Sequence, residues 1–158
     1  MFMEMKFDYE ANYKNQLKEA QEFQDFWCSY LWKHECLAIG NFSSEKYQKK
    51  VGENLQGFEF KYDKQFCKTG NLWIETEERK TPKQKYVTSG IYRNDNTWMY
   101  CIGDYSTLYI FTKKGLCKLV KLNHLSIIAN NNDTSKGYLM SKNLASKYAA
   151  KVIFITER

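Results

Sequence analysis

The sequence predicts a single α/β-type domain of 158 residues, and three observations carry that prediction. One long segment near the N-terminus repeats its apolar residues at three- and four-residue spacing, the period of a helix. Several short segments either alternate apolar with polar residues or run apolar throughout, as strands do. Neither an internal repeat nor a Gly/Ser/Pro-rich linker interrupts the chain, which holds one proline.

The helix extends from Ala11 to about residue 33. Tyr13, Leu17, Ala20, Trp27 and Leu31 form its stripe and Phe23, Phe26 and Tyr30 widen it, which marks a core-facing surface. "CLAIGNF" suits a short strand. Ser43 and Ser44 then offer a cap for a second helix, "SEKYQKKVGEN", with Tyr47 and Val51 on one side and Gly52 and Gly57 bracketing its end.

Two alternating runs follow in "GFEFKYDKQFCKTGNLWIETEER". With "KTG" near a turn, residues 57–63 and 71–77 are expected to pair as an antiparallel hairpin. Period two puts Glu59, Lys61 and Asp63 on one face of the first run, and Asn71, Trp73, Glu75 and Glu77 on one face of the second. "ERKTPKQKYVTSG" reads as an exposed loop, "TWMYCIG" and "TLYIFTK" as strands, and "KKGLCKLVKL" as a short helix. "NNNDTSKG" is a polar loop, "SKNLASKYAA" a helix capped by Ser141, and "KVIFIT" a final strand or packed tail.

Composition narrows the function classes. Charged residues make up 27% of the chain, and no apolar run approaches the roughly 20 residues of a membrane-spanning helix. "MFMEMKFDYE" carries acids where a signal peptide needs a basic and then an apolar region, so a cytoplasmic protein without a membrane partner is expected. Cys28, Cys36, Cys67, Cys101 and Cys117 show no C-x-x-C spacing, and His34 and His124 lie far apart, which argues for buried free thiols and against structural zinc. The net charge of +6 permits a nucleic-acid partner. Lysines gather at Lys46, Lys49 and Lys50, at Lys80, Lys83 and Lys85, and at Lys113, Lys114, Lys118 and Lys121, clusters expected to rim the carboxylate face.

The acids carry the chemistry. Asp63 is followed, after eleven residues, by Glu75-Thr76-Glu77, and carboxylates from neighbouring strands can converge on a hard cation such as Mg²⁺. "TSKG" offers Lys136 to a phosphate without the two-glycine spacing of a P-loop, and "SGIYRNDN" offers Ser89 and Arg93 as phosphate ligands. No nucleophilic Ser or Cys triad and no dinucleotide fingerprint is present.

An acid in a helix, then an aspartate, then an acidic E-x-E on the next strand resembles the PD-(D/E)XK nuclease superfamily. The block "SGIYRNDNTWMYCIGDYSTLYIFTKKGL" resembles the strands and Leu-bearing segment that members place after their active-site hairpin. The likeness spans about residues 43–122 and is architectural more than literal. It implies a restriction-endonuclease-like mixed β-sheet flanked by helices and Mg²⁺- or Mn²⁺-dependent cleavage of duplex or branched DNA, RNA not being excluded.

On that resemblance Glu53, placed in the second helix, would hold metal together with Asp63, Glu75 and Glu77. Lys61 would join Asp63, Glu75 and Glu77 in catalysis, and Arg79, Arg93, Lys113 and Lys136 would contact nucleic acid. The chain departs from the pattern at Glu77, where members carry lysine. Lys61 is the substitute cation, and Arg79, always protonated, suits a phosphate clamp better than a base. A second alignment sets the motif on Glu59-Phe60-Lys61, itself an E-x-K. The alternative function is an inactive relative that binds nucleic acid or protein, and any sequence specificity would come from a homodimer or another partner.

Overall fold

The computed structural model describes residues 8–122 and 125–156, so His124 and the stretch before Asp8 lie outside the described residues. The first helix, α1 (Tyr9–Glu35), starts where the Asp8 carboxylate accepts the Glu10 and Ala11 amides, and it ends at Cys36 in the left-handed region, φ 53°. Only part of its stripe is buried. Phe23, Trp27 and Leu31 pack inside, whereas Tyr13 and Leu17 face solvent.

Helix α2 (Glu45–Lys50) is shorter than its sequence suggests. Gly52, at φ 142°, takes the chain out of helical geometry, and buried Asn54 then ties the bend to Phe58 with hydrogen bonds to both its N–H (2.8 Å) and its C=O (2.6 Å). Glu53 therefore lies in this bend and not in a helix. "CLAIGNF" contributes only an isolated bridge between Asn41 and Asn54.

Two four-stranded sheets form the rest. The first is mixed, in the order β1 (Phe58–Tyr62), β4 (Met99–Gly103), β5 (Thr107–Thr112) and β8 (Lys151–Phe154), with β1 parallel to β4 and the other pairs antiparallel. The second is antiparallel, in the order β3 (Val87–Thr88), β2 (Asn71–Glu78), β7 (Ser135–Ser141) and β6 (Ile128–Ala129). The expected hairpin is thus corrected: β1 and β2 belong to different sheets. Asp63 turns the chain into the one-turn helix α3 (Phe66–Thr69), and β2 then pairs along its length with β7, where Leu72 and Ile74 sit opposite Met140 and Tyr138. Residues 135–137 of the expected polar loop are the first part of β7, so "TSKG" is not a glycine turn.

Helices complete the α/β domain. α4 (Lys113–Leu122) follows β5 directly, and α5 (Lys142–Tyr148) is capped as expected by Ser141 Oγ, which accepts the Leu144 amide. Two apolar cores result. In one, Phe23, Trp27 and Leu31 of α1 cover Phe58, Phe60, Leu108, Ile110 and Ile153. In the other, Tyr100, Ile102, Tyr109 and Phe111 meet Leu72, Ile74, Tyr138 and Met140, closed by Leu116, Leu119 and Ala145. β4 and β5 supply both cores from alternate residues, which is why their sequences are apolar throughout. All five cysteines are free, but of the expected buried thiols only Cys101 is buried, while Cys36 and Cys67 are exposed; among the described residues no helix is long and apolar enough to cross a membrane.

Candidate active site

With Phe58 and Phe60 turned toward α1, alternation along β1 sends Glu59 and Lys61 to the other face, in register with Tyr100 and Ile102. Glu59 is 1% exposed, a costly place for a carboxylate. Lys61 Nζ lies 3.0 Å from Glu59 Oε1, yet neither Glu59 oxygen has an aligned hydrogen bond, and the neighbouring buried Tyr100 hydroxyl also lacks one. About a third of the Lys61 side chain (35%) remains open to solvent, which gives the cluster its access.

Two more acids, from other elements, interact electrostatically with this lysine. Glu75, on the half-buried face of β2, accepts a 2.8 Å hydrogen bond from Ser89 Oγ. Burial pushes its carboxyl above the ordinary value, Lys61 pulls it back, and Glu78 and Glu59 raise it further. Glu53 is raised by burial too, opposed by Lys61 and by Arg93, whose Nη1 stands 3.4 Å from Glu53 Oε1. Burial alone would lower the Lys61 ammonium, but Glu59, then Glu75, hold it well above the ordinary lysine value. Glu53, Glu59, Glu75 and Lys61 thus share one electrostatic neighbourhood, drawn from a bend and two sheets.

The other sequence candidates fall elsewhere. Asp63 is buried, but its Oδ1 accepts the amides of Gln65 and Phe66 (both 3.0 Å) and its Oδ2 that of Trp73 (2.7 Å). It joins the end of β1 to α3 and β2, and burial raises its carboxyl while these three amides lower it. Glu77 lies beyond a bulge in β2 and pairs with Lys136 at 3.2 Å, both partly exposed. Arg79 is spent on loop geometry: Nε donates to Asp133 O (2.7 Å), Nη1 to Gln84 O (3.1 Å), and Nη2 pairs with the Asp133 carboxylate. Its guanidinium and Lys136 Nζ also lie over the Tyr86 ring, 4.1 and 4.2 Å from the centroid.

Arg93 and Lys113 are internal as well, both paired with the Asp95 carboxylate at 3.0 and 2.9 Å. Arg93 further donates to Gln48 O, so α2 is joined to the Glu53 bend. Lys46, Lys49 and Lys50 share an open surface hollow with Glu45, and Lys80 also acts on that glutamate.

Sequence spacing gives Glu59 second rank because no acid-bearing strand precedes it. The signal is present in the E-x-K spacing and in the anomaly of a glutamate flanked by two buried phenylalanines. Tyr100 leaves no comparable signal, since a tyrosine in an apolar strand resembles core. Comparison with protein-family models, curated proteins and solved structures gives no match.

Proposed function

We propose that the protein is a divalent-metal-dependent DNA nuclease of the PD-(D/E)XK type in a restriction-endonuclease-like α/β fold, with Glu59-Phe60-Lys61 as its E-x-K element. The observation that carries this reading is Glu59 itself: a buried carboxylate with no aligned hydrogen bond on either oxygen, beside a lysine and within the field of Glu53 and Glu75. A buried carboxylate ion-paired through one oxygen keeps acceptor capacity that a ligand or ordered water can fill.

The donor set fits a hard cation. Mg²⁺ takes oxygen ligands, uses one or two carboxylates and keeps several waters. Glu59 and Glu75 would hold it, and the ion when bound would supply an activated water and charge for the leaving oxygen. Lys61 stays protonated between its acids, so it acts as a cation toward a phosphate oxygen and not as a base. Glu53, raised by burial yet partly open to solvent, suits the receipt of the proton from the attacking water. Arg93 holds Glu53 in place, and Lys46, Lys49, Lys50 and Lys80 offer a basic approach for a phosphodiester backbone.

One observation favours the alternative of an inactive relative that binds nucleic acid or a partner protein. Among the described residues, no three His, Cys, Asp or Glu side chains are grouped to hold a metal ion. A cleavage assay on duplex, branched and single-stranded DNA and on RNA, with Mg²⁺, Mn²⁺ or chelator, separates the readings. The nuclease reading expects metal-dependent cleavage of DNA that Glu59→Gln abolishes. Salt-sensitive DNA binding with no cleavage in any metal supports the binding module.

A further inference from the structure

Glu53 and Glu75 come from unrelated parts of the chain, yet one short segment holds both. Ser89 is 3% exposed, and its N–H donates to Thr76 O (3.0 Å) while its Oγ donates to Glu75 Oε1 (2.8 Å). Gly90 follows in the left-handed region at φ 52°, where a Cβ would stand 2.0 Å from Glu75 O, so no other residue lets the segment lie this close to β2. The turn Gly90–Tyr92 inserts Ile91 into the core, and Arg93 then reaches Glu53 while Asp95 anchors that arginine.

We propose that Ser89 is a positioning residue for Glu75, holding one carboxylate oxygen and so fixing the side chain in one rotamer, with Gly90 allowing the close approach that makes the bond. This rests on the metal-dependent reading above and adds to it a latch, Ser89–Asp95, that sets two acids at once. A side chain whose rotamer is locked by a buried hydrogen bond gives up less freedom when it takes a ligand. The sequence suggests Ser89 as a phosphate ligand, but its hydroxyl hydrogen is directed at Glu75 and its side chain is nearly closed to solvent.

The test compares Ser89→Ala, Ser89→Cys and Ser89→Thr in the full chain. Cysteine is near in size with a weak donor, and threonine keeps the hydroxyl. Three readouts are taken: Mn²⁺ binding followed by electron paramagnetic resonance, kcat and KM for DNA cleavage, and a metal-free crystal structure. Ser89→Ala and Ser89→Cys are expected to weaken Mn²⁺ by about tenfold or more, as loss of a ligand-orienting hydrogen bond does. They should lower kcat with little change in KM and show Glu75 in a new rotamer, while Ser89→Thr restores all three toward wild type. Should the alanine variant not fold, the cysteine and threonine pair gives the same comparison. Wild-type Mn²⁺ affinity and an unmoved Glu75 in the cysteine variant would overturn the proposal. If wild type neither binds Mn²⁺ nor cleaves DNA, the nuclease reading falls, and the rotamer of Glu75 in the metal-free variants alone decides the latch.

Discussion

Glu59 and Asp63 stand four residues apart on one short stretch of chain, and their carboxylates have opposite lives. Asp63 is buried and fully occupied, each oxygen accepting backbone amides from α3 or β2. Glu59 is buried more deeply and has an ion pair but no aligned hydrogen bond. The Asp63 arrangement suits a structural role, because an acid that satisfies backbone donors closes a turn and cannot release them without cost. The Glu59 arrangement suits chemistry, because a buried carboxylate ion-paired through one oxygen still has acceptor capacity to offer a cation. Spacing along the sequence cannot separate the two; hydrogen-bond partners can.

Substitutions that break each region should differ in kind. The largest effect is expected for Lys61→Met, which leaves Glu59 buried without its counter-charge. Stability measured by urea unfolding should fall by about 3 kcal/mol, the low end for a broken buried pair because Lys61 is partly exposed, and cleavage should disappear. Asp63→Asn comes next. An amide presents an NH₂ where one carboxylate oxygen accepted, so a backbone N–H loses its acceptor and stability should drop by about 2 kcal/mol. Mn²⁺ binding by the folded fraction should be unchanged. A fully stable Asp63→Asn variant that has lost Mn²⁺ would reverse the roles assigned to the two acids.

The pH dependence sharpens the comparison further. Burial raises the carboxyls of Glu53 and Glu75, so each holds its proton more tightly folded than unfolded. Their contribution favours the fold below the ordinary glutamate value and is lost as pH rises through the raised folded values. In metal-free protein, Glu75→Gln should therefore flatten the fall of melting temperature from about pH 4.5 toward neutrality. An unchanged slope would remove Glu75 from the coupled cluster. The smallest effect is expected for Glu77→Gln. Its ion pair with Lys136 is partly exposed, and a stability change under about 0.5 kcal/mol is expected in thermal unfolding.

How far these features are legible follows from which forces wrote them. Local signals read well: the α1 helix, the Ser141 cap, the apolar runs of β4 and β5, and β8 at the end. Pairing does not. The run from Phe58 through a "KTG" turn has a hairpin's local pattern, but β1 instead lies beside β4, far along the chain, and β2 beside β7. Such choices depend on which faces bury together, and Leu72 and Ile74 find Tyr138 and Met140. β7 escapes notice because Ser135, Lys136 and Gly137 resemble turn residues, whereas Gly137 serves close packing, its absent Cβ leaving room for Ile74 O and the Trp73 ring. In the site, spacing singles out Glu75 and Lys61. It places Asp63 ahead of Glu59, since it carries no record of the three amides that occupy Asp63.

The most direct test of the contrast is Mn²⁺ titration of wild type, Glu59→Gln and Asp63→Asn, followed by electron paramagnetic resonance with unfolding curves to define the folded fraction. Wild type and folded Asp63→Asn are expected to bind Mn²⁺ alike, and folded Glu59→Gln to bind none. Full Mn²⁺ binding by Glu59→Gln would contradict this expectation and leave Glu59 a buried ion pair with no catalytic part.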